Sequence, residues 1–191
     1  MSFTEENQLT QQERQLLLQL ARESIRHGAR HGNPPVVELH NLPPALKQIR
    51  ATFVTLEELG QLRGCIGSLE ARRPLAEDVV QNAFAAAFGD PRFPPVTEPE
   101  VDKLDIHISV LSPLEEMHFA SEADLLRQIR PGIDGLVLED GPYRGTFLPA
   151  VWESLPDKRD FLRHLKIKAG LPPDYWSNTL RVWRYTTEMI E

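Results

Sequence analysis

The chain has 191 residues, 41% hydrophobic and 26% charged, with a formal net charge of -7, a composition that suits one sizeable globular core or two small lobes sharing one. The acidic balance speaks against a phosphate backbone or an anionic membrane as partner. A single cysteine, Cys65, excludes an internal disulfide, a multi-cysteine zinc site and an iron–sulfur cluster, which takes about four thiolates.

In chain order, Thr10 and Glu13 make a capping box, and Leu17, Leu20, Ala21, Ser24 and Ile25 follow at helical spacing, which predicts an amphipathic helix that stops at Gly28. After the proline pairs 34–35 and 43–44, ATFVTL reads as a strand, and a short loop around Glu57 to Gly60 returns the chain as QLRGCIG, a hairpin. PLAEDVVQNAFAAAFG, from Pro74 to Gly89, is the clearest helix. DPRFPPVTEPEVDKL is too rich in proline for regular structure, and LDIHISVL alternates as a strand with one buried face. Ser121 and Asp124 cap a short helix through Ile129, and GLVLEDGPYRGTFL is a second hairpin turning near Asp140 and Gly141. Asp157 opens a helix that Gly170 ends, and TLRVWRYTTEMI reads as one last strand.

Hairpins outnumber strand–helix–strand units, which predicts an α+β fold with a largely antiparallel sheet and packed helices. A division into lobes would fall in the proline-rich stretches before residue 74 and near 91–100. No segment approaches the ~18 apolar residues of a spanning helix and MSFTEENQLT is no secretory leader, so no membrane association is expected and a cytoplasmic location is.

On a strand, Arg63, Cys65 and Gly67 point one way and Leu62, Gly64 and Ile66 the other. Arg63 would then share a face with the thiol and favour its thiolate, while Gly64 and Gly67 leave the backbone bare for a ligand or another chain. The bland alternative is that Cys65 is a small buried hydrophobe. A nucleophile elbow is ruled out because Arg63 stands where its first glycine should be. Gly64 to Gly67 matches a KH-type GXXG loop, but on a strand of an acidic chain, so nucleic-acid binding is unfavoured. His27 and His31, four apart in HGARH, could face one metal, yet the glycines speak against a helix there and no third ligand is apparent, so no metal or other cofactor is expected. Asn82 falls on the apolar face of its helix, and Asp90 and Arg92 bracket Pro91 just beyond it. Their bland readings are a helix-edge amide and a charged loop.

The order LRGCIGSLE, an Ala-rich helix with Asn82, DPRFPPV, ISVLSP, GLVLEDG, RGTFLPAVW and FLRHLKIKAGLPPDYW resembles the AMMECR domain family over nearly the whole chain. Its bacterial and archaeal members are called AmmeMemoRadiSam system protein A. The resemblance implies one AMMECR domain of two unequal lobes, the larger from both chain ends (about 1–70 and 101–191), the smaller about 71–100. It places Arg63, Gly64, Cys65 and Gly67 in the family signature and Asn82, Asp90, Pro91 and Arg92 in a second matching block. His107 stands where an acidic residue is expected in relatives, and Ala150 where glutamine is.

The family name implies two partners, a Memo-like protein and a radical SAM protein, but no reaction or substrate. Two readings of different class follow. In one, Cys65 is a nucleophile or carrier in a cleft, Arg63 sets its charge, and Gly64, Gly67, Asn82, Asp90 and Arg92 hold the ligand or support the cleft; the candidates for a base are Asp90 and more distant histidines. In the other, the LRGCIG strand and the Arg92 turn are a non-catalytic docking surface for one of the partners.

Overall fold

The structure, a computed structural model, describes residues 8–191. Among them two compact units separate, one running up to Leu111 and taking back Glu188–Glu191, the other Ser112–Thr187. The division differs from the expected one. The helix of the expected small lobe lies inside the first unit's core, packed on another helix and on two strands.

In the first unit, helix α1 (Gln11–His31) starts at the capping box, with Thr10 Oγ1 accepting from Glu13 N at 3.2 Å and Glu13 Oε2 from Thr10 N at 2.8 Å. It does not stop at Gly28 but runs to Gly32, which caps it at φ 77°. Helix α2 (Leu75–Phe88) explains the difference, because a Cβ on Gly28 would lie 2.4 Å from the Phe88 ring and 2.8 Å from that of Phe84. Gly28 is thus a crossing point between two helices, and packing outweighs its low helix propensity of about 1 kcal/mol. Ser24 Oγ donates to Val80 O at 2.6 Å beside it. Both helices bury Leu17, Ala21, Ile25, Leu75, Val79 and Ala83 in one cluster with Val54, Leu56, Ile106, Ile108 and Val110 of the sheet.

That sheet has the order β2-β1-β3-β8, from β1 (Thr52–Glu58), β2 (Gln61–Gly67), β3 (Asp105–Leu111) and β8 (Thr187–Ile190). β1 is antiparallel to both β2 and β3, so β2 is an edge strand. Along β1, Thr52, Val54 and Leu56 face the core, and Phe53, Thr55 and Glu57 the other side. Of the proline-rich segment expected to lack regular structure, Glu98–Lys103 forms a 3₁₀ turn because Thr97 and Glu100 make a second capping box.

The β1–β2 hairpin turns on Leu59 (φ 53°) and Gly60 (φ 75°), a pair of left-handed residues as in a type I′ turn. Leu59 is 95% exposed, so no packing offsets the roughly 1–2 kcal/mol that this conformation costs a residue with a Cβ. Leu59→Asn, which creates the favoured Asn-Gly pair, is expected to raise stability by about 1 kcal/mol. A urea midpoint that stays put or falls would contradict this.

In the second unit the order is β4-β7-β5-β6, from β4 (Glu115–Glu116), β5 (Gly135–Asp140), β6 (Tyr143–Phe147) and β7 (Arg181–Tyr185), all pairs antiparallel. Helices α3 (Glu122–Gln128) and α4 (Lys158–Ala169) are capped by Ser121 and Asp157. Trp152 and Phe161 stack at 3.7 Å in the core. Lys166 is fully buried, its ammonium 3.2 Å from Glu122 Oε1 and 5.6 Å from the centre of the Trp176 ring. The tail expected as one strand is two, β7 and β8, in different sheets. The break comes at Thr186, whose N–H and C=O are taken by the Ser112 hydroxyl and amide, each at 2.8 Å. Among the described residues no helix is long and apolar enough to cross a membrane.

Candidate functional site

Cys65 lies on β2 opposite Thr55 of β1, and Thr55 faces His107 on β3, so the three form one row on the sheet face away from the helices. Cys65 is partly exposed and its Sγ is 3.3 Å from Thr55 Oγ1. Because β2 is the edge, the amide and carbonyl of Cys65 point off the sheet, where an unsatisfied edge would invite another strand. Asp90 and Arg92 take them: Asp90 Oδ2 accepts from Cys65 N at 3.0 Å, and Arg92 Nη2 reaches Cys65 O at 3.5 Å.

The turn is itself locked. Asp90 Oδ1 accepts from Arg92 N at 3.1 Å and Nε at 3.0 Å, and Oδ2 from Arg92 Nη2 at 2.8 Å. The Asp90 side chain is only 2% exposed. Its hydrogen bond from the Arg92 side chain holds the carboxyl far below the usual carboxylate range, with help from the Cys65 and Arg92 amides and against burial. The same bond raises Arg92, and a negative charge on Cys65 adds a smaller push in the same direction. Asp90 is therefore an anionic clamp and no general base, contrary to its candidacy from sequence.

No described hydrogen bond or ion pair links Arg63 to the thiol. The β1–β2 register slips between Leu56 and Glu57, pairing Leu56 with Gly64 but Glu57 with Leu62, so Arg63 is the extra residue of a bulge, and bulges re-aim side chains. All its described hydrogen bonds go elsewhere: Nε to Glu100 Oε2 at 2.9 Å, Nη1 to Pro94 O at 2.7 Å, and Nη2 to Pro95 O at 3.3 Å and Glu100 Oε1 at 3.4 Å. Burial opposes ionisation of Glu100, yet the bonds from Arg63 and Thr97 outweigh it and keep that carboxyl below its ordinary value.

The glycines are not bare either. A Cβ on Gly64 would sit 2.1 Å from the Ala86 carbonyl oxygen of α2, and one on Gly67 would sit 2.4 Å from both the Phe53 ring and Thr52 O. Asn82, at 5% exposure, is also occupied: its Nδ2 donates to Thr52 Oγ1 (2.9 Å), Asp78 Oδ2 (3.0 Å) and Thr52 O (3.1 Å). Thr52 Oγ1 donates to Asp78 Oδ2 at 2.6 Å, and Arg73 Nε to Asp78 Oδ1 at 2.9 Å. Asn82 thus ties α2 to β1 through a closed polar cluster and leaves no hydrogen free for a ligand.

Sequence reasoning missed Thr52, Asp78 and Arg73 in that cluster, and Thr55 beside the thiol. Arg73 and Asp78 stand in the sequence as an i,i+5 charge pair flanking Pro74, a signal that could have been read. His107 Nε2 is 3.4 Å from Glu57 Oε2 and its Nδ1 3.7 Å from Glu191 Oε1. A groove of about 470 Å³ by α1 has Glu23, Glu57, Asp105 and His107 in its wall, not Cys65. Gly64 to Gly67 lies within β2 and joins no helices, so the KH reading has no structural support. Among the described residues no group of three or more His, Cys, Asp and Glu could hold a metal.

The family model AMMECR1 matches residues 18–190. The chain belongs to the AMMECR1 family. It is 41% identical to a protein of Methanothermobacter thermautotrophicus over 95% of each chain, and 38% identical to the protein MK0488 of Methanopyrus kandleri, covering 96% of this chain and 90% of that one. The crystal structure of the uncharacterized protein PH0010 from Pyrococcus horikoshii has a TM-score of 0.82 at 37% identity, covering 91% of this chain and 88% of that one. Those likenesses fit the antiparallel α+β architecture that this AMMECR1 chain adopts.

Proposed function

We propose that this chain serves to present the Cys65 thiol at a fixed, accessible position as a nucleophile or carrier, within a system that includes a Memo-like and a radical SAM protein. One observation carries the reading. The backbone of Cys65 is clamped on both its amide and carbonyl by Asp90 and Arg92, while the residue remains partly exposed, its Sγ beside a hydroxyl. Fixing a reacting atom before its partner arrives is what catalytic positioning requires. With Asp90 held ionised and Arg63 bound to Glu100, the proton of the thiol leaves to solvent or to a group that arrives with the substrate or partner.

The test uses the single thiol. Alkylation of Cys65 by iodoacetamide is followed against pH in the folded protein and in the urea-unfolded chain. Labelling of the folded protein at a rate comparable to that of the unfolded chain is the expected result. Protection until unfolding would overturn it.

A second reading, a non-catalytic docking module, has its own observation: Leu59 and Leu62 at the β1–β2 hairpin are 95% and 42% exposed. Under it, Cys65→Ser leaves capture of the Memo-like or radical SAM protein unchanged and the Leu59→Ser, Leu62→Ser double variant abolishes it.

A further inference from the structure

The HGARH run becomes chemically interesting once α1 is seen to pass through it. Residues four apart on a helix are surface neighbours, and His27 and His31 meet with ring centroids 4.5 Å apart at an interplanar angle of 47°. The nitrogen available on His27 can be assigned. Its Nδ1 lies 2.7 Å from the carbonyl oxygen of Asn33, which can only accept, so Nδ1 carries the hydrogen and the Nε2 lone pair is left free. Metal-bound histidines are usually oriented in this way, by a carbonyl on the other ring nitrogen.

We propose that His27 and His31 form a two-histidine chelate for a divalent late transition ion, Cu²⁺ or Ni²⁺ in preference to Zn²⁺. The two rings, 4.5 Å apart, are close enough for one ion to bind both. Two protein ligands leave the other positions to water, as a tetragonal or octahedral shell allows and a closed structural zinc site does not. Tetragonal and octahedral geometry belongs to Cu²⁺ and Ni²⁺, tetrahedral geometry to Zn²⁺.

The surroundings favour a cation. His31 occupies the last turn of α1, where the helix dipole presents its negative end. The two arginines nearest in sequence are both neutralised, Arg26 by Glu23 and Asp102, and Arg30 by Glu98. His31 is exposed and His27 partly so, which leaves room for water at the remaining coordination positions.

The experiment is calorimetric titration of the untagged full chain with Ni²⁺ and with Zn²⁺, repeated on His31→Ala and His27→Gln, with circular dichroism to verify that the helices persist. One Ni²⁺ per chain is expected, bound more tightly than Zn²⁺, and each variant is expected to weaken Ni²⁺ by at least about tenfold. Because the chelate exists only on the folded helix, Ni²⁺ should also raise the unfolding temperature of the wild type and of neither variant. Absence of Ni²⁺ binding, or binding that survives His31→Ala, overturns the site. Tighter Zn²⁺ than Ni²⁺ overturns the assigned geometry.

Discussion

Gly64→Ala is expected to lower the stability of the chain by more than about 3 kcal/mol, the overpacking regime in which backbone must move. The added methyl would meet the Ala86 carbonyl oxygen at 2.1 Å and its carbon at 3.0 Å. Those are backbone atoms in the last turn of α2, so no rotamer change relieves the contact. The remaining way out is to lift α2 off β2, which opens the cluster of Leu75, Val79, Ala83 and Leu56. Urea unfolding measures the loss, and recovery of soluble protein gives an earlier indication. The result separates two roles for this glycine. If it cleared space for a ligand, Gly64→Ala would fold at an unchanged midpoint and alter only what binds near Cys65. An unchanged midpoint therefore sinks the packing account.

The hairpin of ATFVTL and QLRGCIG was legible because β-branched runs and a Gly60 turn act locally, and β2 spans the quoted residues Gln61–Gly67. So was α2, whose start at Pro74 and end at Gly89 are sequence signals of the same local kind. What was not legible depended on distant partners. The direction of Arg63 follows from a one-residue slip against β1, which alternation along a single strand cannot reveal. The passage of α1 through Gly28 depends on the Phe84 and Phe88 rings, more than fifty residues away in sequence. Asn82 looked like a ligand-binding amide because its acceptor, Thr52, is 30 residues distant. In the site, the sequence pointed to Cys65, Asp90 and Arg92 but not to the bonds that tie Asp90 and Arg92 to the Cys65 backbone.

Those bonds make Asp90 the second position of large effect. Asp90→Ala removes a buried acceptor of bonds from Cys65 N, Arg92 N and the Arg92 guanidinium, and is expected to lower stability by about 2–3 kcal/mol. The loss stays below that of a fully buried ion pair because Arg92 is 56% exposed and can return to water. Hydrogen exchange at the Cys65 amide should accelerate in this variant beyond the global change, since that amide faces off an open edge. Asp90→Asn, which keeps an acceptor but no charge, isolates the electrostatic part. The Asp90 carboxyl titrates below its unfolded value of about 3.9, so its contribution is complete above that pH and fades as pH falls toward the lower folded value. Acidifying from neutrality to about pH 3 should therefore narrow the stability gap between wild type and Asp90→Asn. A gap that is constant across that range would mean that the Asp90–Arg92 pair adds no charge-dependent stability, and the clamp on Cys65 would then rest on hydrogen bonds to neutral groups alone.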